Sequence, residues 1–574
     1  MILSSKSTVG GGFLVEDVLP ETMFTPEDFT DEHVMMADMT EKFIMNDVMA
    51  VLGRIEEQQF DQTLLMMRKA GDLGLLGIDV PEEYGGLQLD KISASVITEK
   101  IAVSRSFAIT YSGQIGIGSL PIVYFGTDEQ KKKYLPGIIS GEKIGAYALT
   151  EPTSGTDALS AKTTAKLSDC GSYYVLNGEK QWITNSAFAD IFIVYAKVDG
   201  EKFTAFIVEK DYNGLSTGPE EKKMGLKGSS TRSLILEDVK VPVENVLGEL
   251  GKGHVIAFNI LNIGRHKIST QCVGTSKRAI ELSVKYAKER KQFGQSISEF
   301  NLIKGKIADM AIRTYVNESM VYRTAGLIEN AFNESDKSTV NPAKVISEFA
   351  VECSINKVFS TEVYDSIIDE ALQIHGGYGY MSEYEVETLY RDSRVNRIFE
   401  GTNEINRIII ASTLLRKLNL NETEIESKIK SDDLLAQEKE ALYTLKAIYK
   451  DLSITVQDKF LEKNKEQELM ALIADLVIAI YAAESAIIRS IKAVQRNGSE
   501  QEEQKLNYTK VYVKETSSKM LLQIINFLPY IGDNQLSASV LRQAEKLMLS
   551  SSVDTVSLKR KIADHILAAE EYTS

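Results

Sequence analysis

The stretch "YYVLNGEKQWITNSAFADIFIVYAKVDGEKFTAFIVE", residues 173–209, decides the fold. Its β-branched and aromatic residues follow a period of two. Asn177-Gly178 and Asp199-Gly200 interrupt it with dipeptides that supply the positive φ angles of tight hairpins. The pattern predicts an antiparallel β domain over 146–255. On either side the period becomes helical. Upstream, "FDQTLLMMRKAGDLGLLG" (60–77) sets Leu64, Leu65, Met67, Leu73 and Leu76 near helical spacing, and its glycines mark the exit. Downstream of Gly253, helical patterns run over 256–290, 299–330, 341–375, 383–395 and 404–418. The chain therefore reads as mainly α with a central β domain, a helix–sheet–helix sandwich. An N-terminal extension (1–30) precedes a helical domain (31–145), the β domain (146–255) and a second helical domain (256–418). A further helical domain, 419–574, is rich in Glu and Lys and is expected to pack as its own bundle.

A chain of 574 residues exceeds what one core usually organises, and 43% hydrophobic with 25% charged residues suits ordinary globular domains. The net charge of −16 repels phosphate backbones and anionic headgroups, so no nucleic-acid partner is expected. A bound nucleotide would need a local cradle. Cys170, Cys272 and Cys353 are scattered and odd in number, which argues against a disulfide framework and for a reducing compartment. His33, His254, His266, His375 and His565 never fall at the spacing of a shared ligand face, so no metal is expected. The N-terminus has neither a secretory nor an organellar leader pattern, and the chain reads as cytoplasmic. Residues 468–494 come nearest to a membrane span. Asp475, Glu484 and Arg489 interrupt them, so a buried or interface helix is expected, with room left for peripheral membrane contact.

Several short stretches carry chemistry of their own. "YALTEPTSGTDA" (147–158) interleaves hydroxyls with Gly155 and Pro152, a rigid loop rich in hydroxyl and N–H donors. Trp182, the only tryptophan, sits in "QWITN" (181–185), where a lone strand Trp is usually core. "ERKQFG" (289–294) puts Arg290 at a helix end, where it would complement the dipole. "QIHGGYGY" (373–380) has glycines that permit close backbone approach. "RIFEGTNEINR" (397–407) sets Glu400 just before a helix start at Thr402, Asn403 and Glu404, whose free N–H groups can receive an anion.

In their order and spacing these stretches resemble the acyl-CoA dehydrogenases, flavoenzymes of fatty-acid β-oxidation. The resemblance spans about 31–418. "NILNIGR" (259–265) and the helical C-terminal region make it most similar to the very-long-chain branch. It implies FAD as cofactor and α,β-dehydrogenation of an acyl-CoA, giving a trans-2-enoyl-CoA, with electrons passed to an electron-transferring flavoprotein. By resemblance Tyr147, Leu149, Thr150, Gly155 and Thr156 lie along the isoalloxazine and diphosphate, and Thr156 also approaches the CoA portion. Trp182, Ile183 and Thr184 cover the flavin, with the Thr184 hydroxyl near N5. Arg290 and Phe293 reach the FAD of a neighbouring subunit, and a homodimer is expected. Gln373, Gly376 and Gly377 line the diphosphate; Thr402 and Glu404 border FAD. His375 is read as structural.

The resemblance places Glu400 across the acyl chain from the flavin as the base that removes the α-proton. A water-exposed carboxylate, pKa about 4.3, is too weak for that task. Expulsion of water by substrate, and hydrogen bonds to the thioester oxygen from the Glu400 N–H and a flavin ribityl hydroxyl, are what the family adds. Ile398 and Phe399 suit a dry site. In some branches the base stands immediately before the Arg of the "xxxR" segment; here that residue is Gly264, leaving Glu400. Arg265, Asn262 and Gly401 are expected near the substrate, although a surface Arg on a helix is an alternative for Arg265 and several relatives carry Asp where Asn262 stands. "FAITYSGQIGIG" (107–118) is rich in small residues, Ala108, Ser112, Gly113, Gly116 and Gly118, which permit either a deep acyl tunnel or close helix packing. Two rival functions stay open: an acyl-CoA oxidase, and a non-catalytic assembly or scaffold protein on the same fold.

Overall fold

The computed structural model describes residues 9–335, 342–418, 429–460, 465–550 and 552–574. Residues 1–8, 341 and 419–428, parts of the expected extension, of the 341–375 helix and of the last segment, lie outside the described residues. The chain divides into two compact units, Thr30–Lys267 with Ser335–Ser347, and Met1–Phe29 with Ile268–Glu334 and Glu348–Ser574.

The first unit opens with helices whose starts are written in the sequence. Thr30 caps Asp31–Phe43 with its hydroxyl on the His33 N–H, Asp90 caps Lys91–Ile101, and Thr127 caps Asp128–Ile139 with Gln130 returning the bond. In Phe60–Asp72 the buried face is Thr63, Met66, Met67 and Ala70. Met67 and Leu76 are core as read, whereas Leu65 and Leu73 are exposed.

The sheet runs in the order Leu215–Thr217, Thr231–Pro242, Tyr173–Thr184, Thr164–Leu167, Ile191–Val198, Lys202–Glu209, Val246–Leu247, with Gly145–Ala148 also paired to Ile191–Val198. It is mixed and not purely antiparallel. Gly145–Ala148 and Thr164–Leu167 both run parallel to Ile191–Val198, because the loop between them returns the chain to that strand in the same sense. Asp199-Gly200 forms the hairpin as read, with φ of 55° and 78° and Val198 opposite Lys202. Asn177-Gly178 does not turn the chain. It lies inside the continuous Tyr173–Thr184 strand at a register irregularity, where the Asn177 amide exchanges hydrogen bonds of 3.0 and 2.8 Å with Asp238. A Cβ at Gly178 would stand 2.5 Å from the Thr163 hydroxyl, so close strand approach explains the glycine there.

In the second unit the helices Asn301–Glu334, Ala350–His375, Asn403–Lys417, Gln467–Asn497 and Glu503–Ile531 share one apolar core. The described part of 419–574 is the additional helical domain, and its helices share the core of the preceding ones. Gln467–Asn497 is the one helix among the described residues long and apolar enough to cross a bilayer, and it is mostly buried. Its charges are satisfied inside: Glu484 accepts from Arg323 and Lys446, both at 2.7 Å, and Arg489 donates to Glu318 at 2.6 Å. The N-terminal segment docks into the same core. Phe13 packs on Tyr481 at 4.8 Å, the Gly11 N–H donates to the buried Glu352 carboxylate at 2.7 Å, and Glu27 accepts from Arg489 at 2.8 Å.

Candidate active site

In the first unit, the loop after Gly145–Ala148 is held from beneath by a buried carboxylate. Glu151 accepts from the Lys162 N–H at 2.5 Å, the Thr163 N–H at 3.1 Å and hydroxyl at 2.5 Å, and Lys180 Nζ at 2.7 Å. Burial alone would raise the Glu151 carboxyl, but Lys180 and the backbone donors hold it below its ordinary value. Burial pushes the Lys180 ammonium down to about 8. The Thr150 carbonyl accepts from the Gln181 N–H at 2.8 Å, which ties the loop to the bulged strand. Above this anchor Gly155 and Thr156 are exposed, and a Cβ at Gly155 would meet nothing within 4 Å. Tyr147 and Leu149 turn their side chains into the apolar cluster, and Ile183 is core as well.

Trp182 is not core. A register shift between Lys180 and Ile183 against Thr231–Pro242 leaves it at φ 60° and 59% exposed. A bulky residue at positive φ carries strain of about 1 kcal/mol or more, and strain of this kind gathers at ligand sites. Thr184, half-buried, follows it in register with Thr231.

Arg265 is buried and donates to Asn262 Oδ1 at 2.8 Å, so the surface alternative falls. Next to it, burial pushes the His266 imidazole down to about 4, with Lys267 and Lys91 adding to the effect. Its Nε2 lies 3.0 Å from the Ser95 hydroxyl. Asp79 receives both lysines, Lys267 at 2.8 Å and Lys91 at 2.5 Å. In the 107–118 segment the small residues serve close packing at Gly118, where a Cβ would stand 2.9 Å from the Gly113 carbonyl oxygen and 3.0 Å from the Gly145 carbonyl carbon.

In the second unit, Glu400 and Gly401 are consecutive left-handed residues, φ 55° and 81°. Glu400 is half-buried between exposed Ile398 and the start of helix Asn403–Lys417, and Phe399 packs on the core. Thr402 caps that helix on the Ile405 N–H at 3.4 Å. Backbone N–H groups at the helix start, then the Thr402 hydroxyl, hold the exposed Glu404 carboxyl below its ordinary value. The Gly401 carbonyl accepts two bonds of 2.8 Å, from Lys357 Nζ and Asn406 Nδ2. Lys357, wholly buried in helix Ala350–His375, also donates to Asn403 Oδ1 at 2.7 Å. Lys357, Glu151 and Lys180 were not singled out from sequence, and Asn403 was read only as part of the helix start. A lysine within a buried helix face was the available signal for Lys357.

Helix Ala350–His375 ends in exposed Gln373, Gly376 and Gly377. Gly376 has φ 58°, which explains its glycine, but Gly377 has neither positive φ nor any neighbour within 4 Å of a Cβ. His375 bonds the Ala371 carbonyl at 2.7 Å and stacks on Tyr286 at 4.3 Å. Arg290 lies over Tyr378 at 5.6 Å. Phe293 stands at the tip of a small hairpin, φ 52° followed by Gly294 at 84°, and is 95% exposed. Each sequence-predicted residue is thus on a described element, grouped as Tyr147–Thr184 with Asn262 and Arg265 in one unit, and Arg290–Glu404 in the other.

The acyl-CoA dehydrogenase N-terminal, middle and C-terminal domain families match residues 30–142, 146–239 and 251–415, and a second acyl-CoA dehydrogenase C-terminal domain family matches 453–541. A probable acyl-CoA dehydrogenase of Bacillus subtilis is 52% identical over 98% of this chain and 98% of its own length. The very long-chain specific acyl-CoA dehydrogenase of Macaca fascicularis is 39% identical over 67% of this chain and 60% of its own. The crystal structure of acyl-CoA dehydrogenase complexed with FAD from Bacillus anthracis superposes with a TM-score of 0.96 at 51% identity, covering 99% of this chain and 100% of that one. The chain belongs to the acyl-CoA dehydrogenase family, a family of oxidoreductases.

Each unit by itself presents residues that suit part of a flavin dinucleotide. Gly155 and Gly377 lack a side chain for no reason internal to the protein, and a capped helix start offers free N–H groups to a phosphate.

Proposed function

We propose that this protein is an FAD-dependent dehydrogenase of long-chain fatty acyl-CoA, introducing a trans double bond between Cα and Cβ in β-oxidation. The observation that carries the reading is Glu400, a half-buried carboxylate held at positive φ beside a helix start. FAD, when bound, supplies the acceptor for the β-hydride. Glu400 takes the α-proton. Its half-buried position after Phe399, which packs on the core, favours the neutral carboxyl once substrate expels water, and this strengthens it as a base. The Glu400 N–H is the donor this chain offers to the thioester oxygen, stabilising enolate charge. Thr150, Thr156, Trp182 and Thr184 hold the flavin edge, and Gln373, Gly376, Gly377, Thr402 and Glu404 border the phosphates. Arg265, with Asn262 fixing its guanidinium, and Gly401 border the substrate.

Phe293, bulky and almost wholly exposed on a left-handed turn, is read as covered by a second copy, whose cofactor it and Arg290 would reach. A homodimer follows. Electrons pass onward to an electron-transferring flavoprotein, and the chain works in the cytoplasm. The test is a chain-length scan of anaerobic flavin reduction by acyl-CoA. Bleaching that strengthens toward long chains, reversed by the partner flavoprotein, supports the reading. Reoxidation by oxygen with peroxide formed at the same rate, or no bleaching at any length, overturns it.

A further inference from the structure

The loop that carries Glu400 is tied into a polar relay that ends in the C-terminal helices. Lys357 bonds the Gly401 carbonyl at 2.8 Å and Asn403 Oδ1 at 2.7 Å. Asn403 Nδ2 donates to Glu362 Oε1 at 3.0 Å, and Glu362 receives Arg407 through both terminal nitrogens, at 2.7 and 2.9 Å. Arg407 Nε then donates to Asp475 at 2.7 Å. Asp475 belongs to helix Gln467–Asn497, more than sixty residues beyond the loop. Lys357 and Glu362 stand on one rigid helix, and that helix also presents Gln373 at its end.

Burying an ammonium wholly is costly unless it is hydrogen-bonded, and Lys357 offsets that cost through the Gly401 carbonyl and Asn403 Oδ1. Its target is a carbonyl between two left-handed positions and the helix cap. With Lys357 and Asn406 both on it, that carbonyl has its two lone pairs taken, and the peptide plane after Gly401 is fixed. A fixed plane there sets the direction in which Glu400 leaves the chain. We propose that Lys357 is a positioning residue for Glu400, and that the relay through Asn403, Glu362 and Arg407 to Asp475 makes the C-terminal helices part of what holds the base. The inference rests on Glu400 being the base.

The experiment compares Lys357→Met, Asp475→Asn and Glu400→Gln as purified holoenzymes with palmitoyl-CoA. For Lys357→Met, FAD content and KM stay within threefold of wild type, while flavin reduction slows tenfold or more. The α-deuterium isotope effect on that step rises, because proton removal becomes the slower event. Hydrogen exchange quickens in the peptide spanning 398–406 and stays unchanged in the rest of helix Ala350–His375, a pattern that general loosening would not give. Asp475→Asn, at the accessible end, shows the same changes at threefold or more and serves if Lys357→Met does not fold. Reduction within twofold of wild type in the folded variants, or exchange that rises throughout the unit, overturns the proposal. Wild-type reduction by Glu400→Gln would instead overturn the assignment of the base, while the exchange pattern still reports the positioning.

Discussion

Glu400 shows how little a side chain says without its backbone. As a carboxylate near a helix start it is ordinary; at φ 55°, followed by Gly401 at 81°, it stands in a conformation that its neighbours must enforce. Glu400→Gln is expected to keep its cofactor and lose flavin reduction by roughly 10²–10⁴-fold, the usual contribution of a positioned base; stopped-flow bleaching under nitrogen measures it. His266 gives a prediction about pH. Its folded value is pushed down to about 4, below an unfolded value of about 6.5, so the unfolded chain binds the extra proton first. Its contribution is complete above that unfolded value and is lost as pH falls through the folded one. Stability should drop by on the order of 3 kcal/mol from this group as pH falls through that window. In His266→Gln the decline in melting temperature across that window should be visibly shallower.

Among elements, the two glycines at the end of helix Ala350–His375 separate conformation from recognition. Gly377→Ala meets neither strain nor contact, so stability should stay within about 0.5 kcal/mol. Cofactor affinity should nevertheless fall, read by fluorescence titration of the apoprotein with FAD. The β domain was legible from the alternation of Tyr173–Thr184 and from the β-branched and aromatic content of Ile191–Val198 and Lys202–Glu209, which are buried on both faces. Asp199-Gly200 was legible because a hairpin tip needs consecutive positive φ. Asn177-Gly178 misled, since close approach to Thr163 inside a long strand calls for the same dipeptide. The motif stretches pointed to the loops from which contacts would come. The props beneath them, Lys180 under Glu151 and Lys357 under Gly401, were not legible. A buried lysine's partner lies tens of residues away, and no local pattern records it. Trp182 eluded propensity for a related reason: its exposure comes from a bulge that long-range pairing creates.

On the scale of the whole chain, the N-terminal segment was read as an extension and proves to be an integral part of its unit. Gly11 sits at φ 83°, and a Cβ there would stand 2.7 Å from Leu414. Gly11→Ala should therefore cost roughly 1–3 kcal/mol, measured as a lowered urea midpoint of the unit that contains it. The segment's acidic residues are matched by basic residues more than four hundred positions later, Glu27 by Arg489 and Asp28 by Lys492 and Arg496. Asp17 meets Tyr443, and Arg489 also donates to Ser574 at the last residue. This arrangement has a consequence for biosynthesis. Glu27 and Asp28 are sealed by a helix made more than four hundred residues later, so this unit cannot close before that helix has been translated. A nascent-chain arrest placed before residue 489 should leave the segment around Glu27 and Asp28 open to protease when the same residues in the released protein are shielded.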